Sequence, residues 1–175
     1  MKNENGFTLI EVMLVVTVVG IVASIAVPSI ARARASATET STIAALKAIH
    51  SAQAIYATSC GTGFYAPSVA SLGVPGKGKA PFIGPEFSAN SIDREGYNVR
   101  FSAGTVVAKA PQTCNGVAAG KALQTFFIGA DPLATGTAGA TRHFGMSSDG
   151  TIYESTKRIS AFYTGVPPKP AKPIQ

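Results

Sequence analysis

The chain has 175 residues, enough for one domain with a moderate core and an appended segment but too few for two large domains. Its 15 Lys and Arg against 9 Asp and Glu give a net charge of +6, and there is no Trp. A nucleic-acid groove needs clustered basic and aromatic side chains, whereas the basic pairs Lys77/Lys79 and Lys157/Arg158 are small and separated. The charge balance therefore predicts at most a weak attraction to DNA or another anionic surface.

The N-terminus combines a short polar segment ending in Gly6 with an apolar run that contains one charged residue, Glu11. The 20 residues 12–31 carry no charge. As an α-helix they would extend about 30 Å, the hydrocarbon thickness of a bilayer. The run therefore predicts a membrane-spanning helix.

A cleaved secretory signal does not explain this run, because the run is too long and its small residue, Gly6, comes before the apolar stretch. Glu11 is costly in a membrane unless it has a partner. Orientation stays open on composition. Lys2 before the span and Arg32 and Arg34 after it would place the C-terminal part in the cytoplasm, whereas a pair of cysteines argues for the opposite side.

The string GFTLIEV, from Gly6 to Val12, resembles the processing site of type IV pilins and of the related pseudopilins of secretion systems. The features that carry the resemblance are a short leader ending in Gly, Phe7 after it, Glu11 five positions into the mature chain, and the apolar run. Pro28 also lies where pilins commonly carry a helix-bending proline. The resemblance covers roughly the first 30 residues.

The resemblance implies that a prepilin peptidase cleaves after Gly6, that Phe7 is N-methylated, and that the C-terminal domain lies outside the cytoplasm. It also implies that Glu11 of one subunit neutralises the Phe7 amine of a neighbour in a filament. A wrong axial register would then leave two uncompensated charges in a medium of low dielectric constant. The alternative is a carboxylate near the membrane interface that contacts only lipid headgroups.

The helix is predicted to continue to about Ser59, because residues 31–59 are rich in Ala and contain neither Gly nor Pro. The face expected to pack on the domain consists of Leu46, Ile49, Gln53, Tyr56 and Cys60. Gly20 and Pro28 are the weak points of this helix, since Pro28 removes a backbone hydrogen bond. The resemblance implies bending or melting there during assembly, and a static kink is the alternative.

The rest of the chain predicts strands and loops. Residues 61–95 are interpreted as irregular, with at most one helical turn within residues 65–72, and residues 131–140 as a loop. A strong hairpin-turn signal stands at Asp149-Gly150. The strand candidates are residues 97–101, 105–110, 123–128, 141–146 and 151–154.

This order predicts an α+β, type IV pilin-like fold, in which a long N-terminal α-helix packs on an antiparallel β-sheet meander. The helix has a transmembrane half and an amphipathic half. The predicted divisions are a leader at 1–6, a transmembrane and assembly helix at 7–34, a globular domain at 35–164 and a Pro/Lys-rich tail at 165–175. The tail is expected to be extended and mostly solvated.

The two cysteines, Cys60 and Cys114, have no spacing typical of a metal or haem site. A disulfide formed outside the cytoplasm is expected, and two free thiols are the alternative. The disulfide would join the end of the helix to the sheet and, in the chain-entropy model, contribute about 4 kcal/mol.

No residue pattern predicts catalysis or a cofactor. His50 and His143 have no neighbour at catalytic or metal-ligand spacing. Asp93 and Glu95 are weak evidence for a Ca²⁺ site, because Ca²⁺ takes six to eight oxygen ligands. We therefore expect no metal and no enzymatic activity.

Three functions remain. The leading hypothesis is a structural subunit of a type IV pilus: a single-pass inner-membrane protein in contact with lipid, which the inner-membrane assembly machinery polymerises into an extracellular homo-oligomeric filament on the cell surface. Adhesion, motility or DNA uptake would be outputs of the whole system. The alternative is a pseudopilin of a type II protein secretion system. A membrane-anchored binding or catalytic domain that never polymerises is the third, and Glu11 argues against it because a simple anchor has no need of that charge.

Overall fold

The computed structural model describes residues 6–78, 80–133, 141–163 and 165–174. In these residues a long helix packs on one face of an antiparallel sheet, and a segment after the fifth strand covers the other face. The elements are α1 (Leu9–Ser59), α2 (Val69–Leu72), β1 (Ser91–Arg94), β2 (Tyr97–Ala103), β3 (Phe126–Pro132), β4 (His143–Ser147), β5 (Ile152–Ser155) and β6 (Lys172–Pro173).

Helix α1 has 51 residues and changes environment along its length. Its side chains are exposed up to Arg34, with a single half-buried position, and Ala35 is its first buried residue. Beyond Ala35 the buried positions recur every three or four residues, which is the spacing of one helix face. The predicted packing face is confirmed, since all five of its residues are buried.

The six strands pair in chain order, β1 to β6, and every pair is antiparallel, so the predicted α+β meander is confirmed. The first five residues of β3 are all buried. They alternate between the helix side and the opposite side of the sheet, and both sides are covered. Double coverage explains why this strand reads as an apolar run and not as an alternation.

The core between helix and sheet is built from aromatic and aliphatic side chains. Phe126 stacks on Phe101 with ring centroids 5.8 Å apart and meets Tyr65 edge-on at 4.8 Å. Gln53 is fully buried, but its amide accepts from the Ala66 N–H at 2.8 Å and donates to the Ala66 carbonyl at 3.1 Å. Because both polar ends are satisfied, this buried amide fixes the chain after α1 against the helix.

A second, smaller apolar cluster lies on the opposite side of the sheet. Ile159 and Phe162, after β5, pack on Phe127. The close packing of this cluster on the sheet depends on Gly129 and Gly145, which pair across β3 and β4. A Cβ on Gly145 would stand 3.1 Å from the Phe127 ring and 3.2 Å from Ile159. A Cβ on Gly129 would stand 3.0 Å from the Phe127 ring. This third layer was not predicted from the sequence.

Three strand assignments differ from the sequence interpretation. Strand β1 lies in the segment interpreted as irregular. The candidate at residues 105–110 is wrong, because it forms only one isolated bridge, from Val106 to Leu123, before the chain turns at Ala110. The predicted third strand begins at Phe126 and not at Leu123.

The tail contributes an edge strand that was not expected. Lys172 and Pro173 pair with β5, and Ile174 packs against the main core. Proline is tolerated there because an edge strand leaves its outward groups without a ladder partner. The predicted short turn within residues 65–72 is present as α2. Residues 1–5, Lys79, Thr164, Gln175 and most of the predicted 131–140 loop, residues 134–140, lie outside the described residues.

Candidate functional site

The N-terminal segment begins its helix at Leu9, with Thr8 as the N-cap residue in an extended conformation. The Thr8 hydroxyl accepts a hydrogen bond from the Glu11 backbone N–H at 3.3 Å. Gly6 and Phe7 precede the cap outside the helix, and the Phe7 side chain is 81% exposed. The peptide bond between Gly6 and Phe7 therefore lies in non-helical chain, the form that a protease can enter.

Glu11 lies in the first turn of α1 and is exposed. Thr8 and Glu11 have the spacing of a capping box, in which a Thr at the N-cap and a Glu three residues later satisfy the free N–H groups of the helix start. A carboxylate also interacts favourably with the positive end of the helix dipole. The sequence interpretation missed this local role, although the T-x-x-E spacing was there to be read.

The surface of α1 from Leu9 to Ile30 is apolar and has no partner within the described chain. Its large hydrophobic side chains are at least half exposed. Among the described residues, α1 is the one helix long and apolar enough to cross a membrane by length and composition. An apolar surface of this extent does not stay in water, so it requires either lipid or other protein around it.

Polar side chains within this apolar part bond back to the helix. The hydroxyls of Thr17, Ser24 and Ser29 donate to the carbonyls of Met13, Ile21 and Ala26 at 2.7–2.8 Å. These bonds suit an environment without water, where each unsatisfied polar group is costly. The helix runs on through Gly20 and Pro28 without interruption, and bending at these two residues stays a prediction.

Near the beginning of its buried part, α1 is tied to the sheet by a charge network around the buried Glu39. Arg142 donates to the Glu39 carboxylate from Nε at 3.1 Å and also from Nη2, and to Glu154 from Nη1 at 2.6 Å. The Glu39 side chain is only 9% exposed. The Tyr97 hydroxyl donates to the Arg142 carbonyl at 2.9 Å.

The charges and burial in this network shift two pKa values. Burial raises the pKa of Tyr97 to about 12, with the Glu39 carboxylate adding to the rise and the Arg142 guanidinium opposing it. The hydrogen bonds that Arg142 donates to the Glu39 carboxylate raise the pKa of Arg142 further above its ordinary value. Arg142 therefore stays charged at any physiological pH, and the network holds Glu39 against the sheet as an ion pair.

A disulfide joins Cys60, immediately after α1, to Cys114 in the connection between β2 and β3. Their Cα atoms are 4.9 Å apart, and they are 54 positions apart in the chain. The Cys114 N–H also donates to the Cys60 carbonyl at 3.3 Å. The covalent link thus holds the far end of α1 to the loop beside the sheet.

Asp131, on the outer side of the sheet, is surrounded by basic groups. Arg100, Arg158 and His143 approach its carboxylate at 2.8, 3.0 and 2.7 Å. This cluster ties the segment after β5 to β2, β3 and β4, which is a structural role. His50 lies apart from it, 3.4 Å from the Ser148 carbonyl.

The weak candidates for a metal site are not brought together with other ligands. Asp93 accepts from the Asn98 amide at 2.6 Å, and Glu95 is exposed in the turn between β1 and β2. In the part of the chain that the structure describes, no three His, Cys, Asp or Glu side chains form a group that could hold a metal ion.

Comparison with known proteins gives one match. Residues 1–27 match the family described as "Prokaryotic N-terminal methylation motif". No curated protein and no solved structure matches the chain. The motif is the prepilin-type cleavage and methylation segment of type IV pilins and pseudopilins, so the resemblance found from the sequence is confirmed. It implies processing by a prepilin peptidase, points to a structural subunit rather than an enzyme, and fits a membrane-anchored precursor and an assembled filament.

Proposed function

We propose that this chain is a structural subunit of a type IV pilus, cleaved between Gly6 and Phe7, methylated on Phe7 and polymerised through α1. The methylation motif supports a type IV pilin or pseudopilin in general. The step to a pilus subunit rests on the loop-rich domain above the helix and on the disulfide that fastens the end of α1 to it.

The observation that carries the proposal is a single carboxylate in an otherwise apolar, unpartnered helix surface. From Leu9 to Ile30 only Glu11 is charged. Cleavage after Gly6 would create an amine on Phe7, four residues from Glu11 in its own chain. In a filament, pairing between Glu11 of one subunit and the Phe7 amine of the next would remove two uncompensated charges from an apolar interior, each of which costs several kcal/mol.

The capping-box spacing of Thr8 and Glu11 offers a second explanation for Glu11, and one substitution separates the two. Gln serves at this position of a capping box as well as Glu does, but it carries no charge. Glu11→Gln therefore keeps the local cap and removes the ion pair. We expect Glu11→Gln to be processed and inserted normally but to form few or no filaments.

The matched control is Thr8→Ala, which removes the cap acceptor and leaves the charge of Glu11. Its expected cost is about 1 kcal/mol of helix stability, with filaments still formed. The measurement is the yield of sheared filaments relative to the membrane-bound pool, by quantitative blotting. If Glu11→Gln assembles like the wild type while Glu11→Ala and Thr8→Ala do not, then Glu11 acts as a cap and the pairing is wrong.

Processing is tested separately by the intact mass of the protein purified from its own cells. We expect a chain that begins at Phe7 and carries one methyl group. A chain that still begins at Met1, with an unmodified Phe7, would remove the premise of cleavage.

The location of the assembled form distinguishes a pilus from the pseudopilus of a type II secretion system. Immunogold labelling of whole cells is expected to decorate external filaments. Short assemblies confined to the cell envelope, together with a defect in protein secretion on deletion, would instead identify the chain as a pseudopilin.

A further inference from the structure

We infer that the end of the globular domain nearest the membrane, called the lower end below, is a second membrane-contact surface. It binds the anionic phospholipid headgroups around the point where α1 leaves the bilayer. The inference rests on the proposed function in two respects, namely that the precursor spans a membrane through α1 and that its globular domain lies outside the cytoplasm. It adds a partner for the domain itself, in the form of lipids with a phosphate and a net negative charge, such as phosphatidylglycerol.

The spacing along α1 brings the domain down to the headgroups. The apolar run ends at Ile30 and the first buried contact with the domain is at Ala35. Five residues of helix correspond to about 7.5 Å, which is the thickness of one headgroup layer. Arg32 and Arg34 lie within this interval and are exposed, so no linker separates the bilayer from the domain.

Two contacts to α1 show which end of the sheet faces the membrane. The turn between β4 and β5 lies beside His50, whose ring is 3.4 Å from the Ser148 carbonyl. Arg142 and Glu154 lie at the level of Glu39, which is eleven residues, or about 16 Å, nearer to the membrane. Strand β5 therefore runs towards the membrane, and the chain turns at its lower end after Ser155.

Basic side chains collect at this lower end. Lys157 follows the end of β5, and Lys169 precedes β6 on the membrane side. Lys172 lies opposite Glu154 in the backbone register of β5 and β6. All three are exposed. With Arg32 and Arg34 they form what we call the proximal basic group.

The acidic residues nearby do not neutralise this group. Glu39 and Glu154 are paired with Arg142, and Asp131 with Arg100, Arg158 and His143. Among the described residues, the ion pairs include no member of the proximal basic group. Asp93, in β1, and Glu95, in the turn between β1 and β2, are exposed acidic residues at this end, and they lie at the β1 edge of the sheet, away from the β5–β6 edge that carries the three lysines.

Two further features suit a lipid surface. Leu133 follows β3 at the lower end and is 53% exposed, in a position to contact the apolar side of the headgroup layer. A cleft of about 270 Å³ opens on the β5–β6 side. Its lining residues are Arg142, Glu154, Ser155, Thr156, Pro170 and Lys172. Lysine ammonium groups and a hydroxyl-lined cleft are suitable donors to a phosphate.

Headgroup binding at the lower end also explains why Arg32 and Arg34 follow the apolar run. Lys and Arg following a membrane helix normally favour the cytoplasmic side. An exported domain that carries them needs a compensating partner there, and anionic headgroups supply one. Basic residues near an anionic surface each add about fivefold to binding, and the effect disappears beyond one Debye length.

The test compares two triple variants of the full chain, reconstituted in phosphatidylcholine vesicles. Lys157→Gln, Lys169→Gln and Lys172→Gln together remove the domain's part of the proximal basic group. The control removes the same charge from three exposed lysines distant from the lower end: Lys77→Gln, Lys109→Gln and Lys121→Gln. Gly76, beside Lys77, lies against Cys114 near the far end of α1, so the membrane is several Debye lengths away.

The measured quantity is the association of spin-labelled phosphatidylglycerol relative to spin-labelled phosphatidylcholine, by electron paramagnetic resonance. We expect the wild type and the control to prefer phosphatidylglycerol, and the proximal variant to lose at least about threefold of that preference. Salt at 0.5 M should weaken the preference in the wild type.

An equal loss in both triple variants, or no preference in the wild type, would overturn the inference. Failure of the proposed function has a different signature: a chain that alkaline carbonate releases from cell membranes would not span a bilayer at all. A correctly inserted chain without lipid preference leaves the pilus proposal intact and refutes only the headgroup site.

Discussion

The ion pair between Glu39 and Arg142 is expected to determine how firmly α1 is attached to the sheet. Glu39 projects from α1 with its side chain 9% exposed, and Arg142 precedes β4 with 46% exposed. Removing Arg142 leaves a carboxylate in a site that water reaches poorly, beside the Tyr97 ring. Glu154 loses an ion pair at the same time, but it is more exposed and can be solvated.

The size of the effect follows from this difference in exposure. Breaking a fully buried ion pair by removing one partner costs about 3–5 kcal/mol. Because Arg142 is about half exposed, water screens the pair, and we expect Arg142→Gln to cost about 2 kcal/mol. In a Glu39→Gln background no charge is stranded, and the same change should cost less than about 1 kcal/mol.

The assay is a double-mutant cycle on the full chain in mild detergent, with urea unfolding followed by tyrosine fluorescence. We expect a coupling energy of about 1 kcal/mol or more between positions 39 and 142. Lys47→Gln, an exposed change on the same helix, serves as the control and should alter stability by less than about 0.5 kcal/mol. Equal costs for Arg142→Gln in both backgrounds would refute the argument that a stranded Glu39 carboxylate causes the loss.

Three further outcomes are expected. Replacing both Cys60 and Cys114 by Ser should cost about 4 kcal/mol by the chain-entropy model, measured by urea unfolding against the oxidised wild type, and a cost below about 1 kcal/mol would contradict it. The pKa of the Tyr97 hydroxyl is raised to about 12 in the folded state, so the unfolded chain loses the hydroxyl proton at lower pH than the folded chain does. The contribution of Tyr97 to the free energy of unfolding is therefore fully present below pH 10 and should fall by about 2 kcal/mol as the pH rises to 12. Tyr97→Phe should reduce that slope in alkaline titrations, and an unchanged slope would assign it elsewhere. Gly145→Ala should cost about 1–3 kcal/mol in thermal unfolding because its Cβ would press on the Phe127 ring, and a neutral result would show that the third layer can move away.

The parts of the fold that the sequence predicted are those with a strong local signal. Helix α1 was readable because it combines a long apolar run with an Ala-rich continuation that has a clear buried face. The hairpin between β4 and β5 was readable from Asp149-Gly150, where Gly150 adopts φ +84°. In both cases the pattern lies within one element and needs no knowledge of its neighbours.

The parts that were missed depend on contacts distant in sequence. Strand β1 has only four residues and gains its structure from pairing with β2. Strand β6 contains a proline and looks like solvated tail, yet it pairs with the edge of β5. Residues 105–110 begin with three β-branched residues that favour a strand, but the chain turns away at Ala110, which local propensity does not reveal.

Glu11 was predicted as a site residue from its charge, but its position near the start of the helix was overlooked. On the sequence alone, the charge of Glu11 has no use in a single chain, but in the structure Glu11 occupies the N3 position after the N-cap Thr8, which is the spacing of a capping box. The cap can serve the precursor, since a carboxylate near the first turn is worth about 0.3–1 kcal/mol there. That gain is too small to offset a charge inside an apolar assembly, where an unpaired carboxylate costs several kcal/mol.

The Phe7 amine produced by cleavage is what distinguishes Glu11 in the filament from Glu11 in the precursor. A Phe7 ammonium would sit just before the positive end of its own helix, where the helix dipole disfavours it. A carboxylate from a neighbouring chain would offset this cost and so lower the energy of the amine. On this argument the cap positions the carboxylate and the neighbour's amine supplies the reason to keep it. This is why Glu11→Gln, which keeps only the first role, is the more informative substitution than Glu11→Ala.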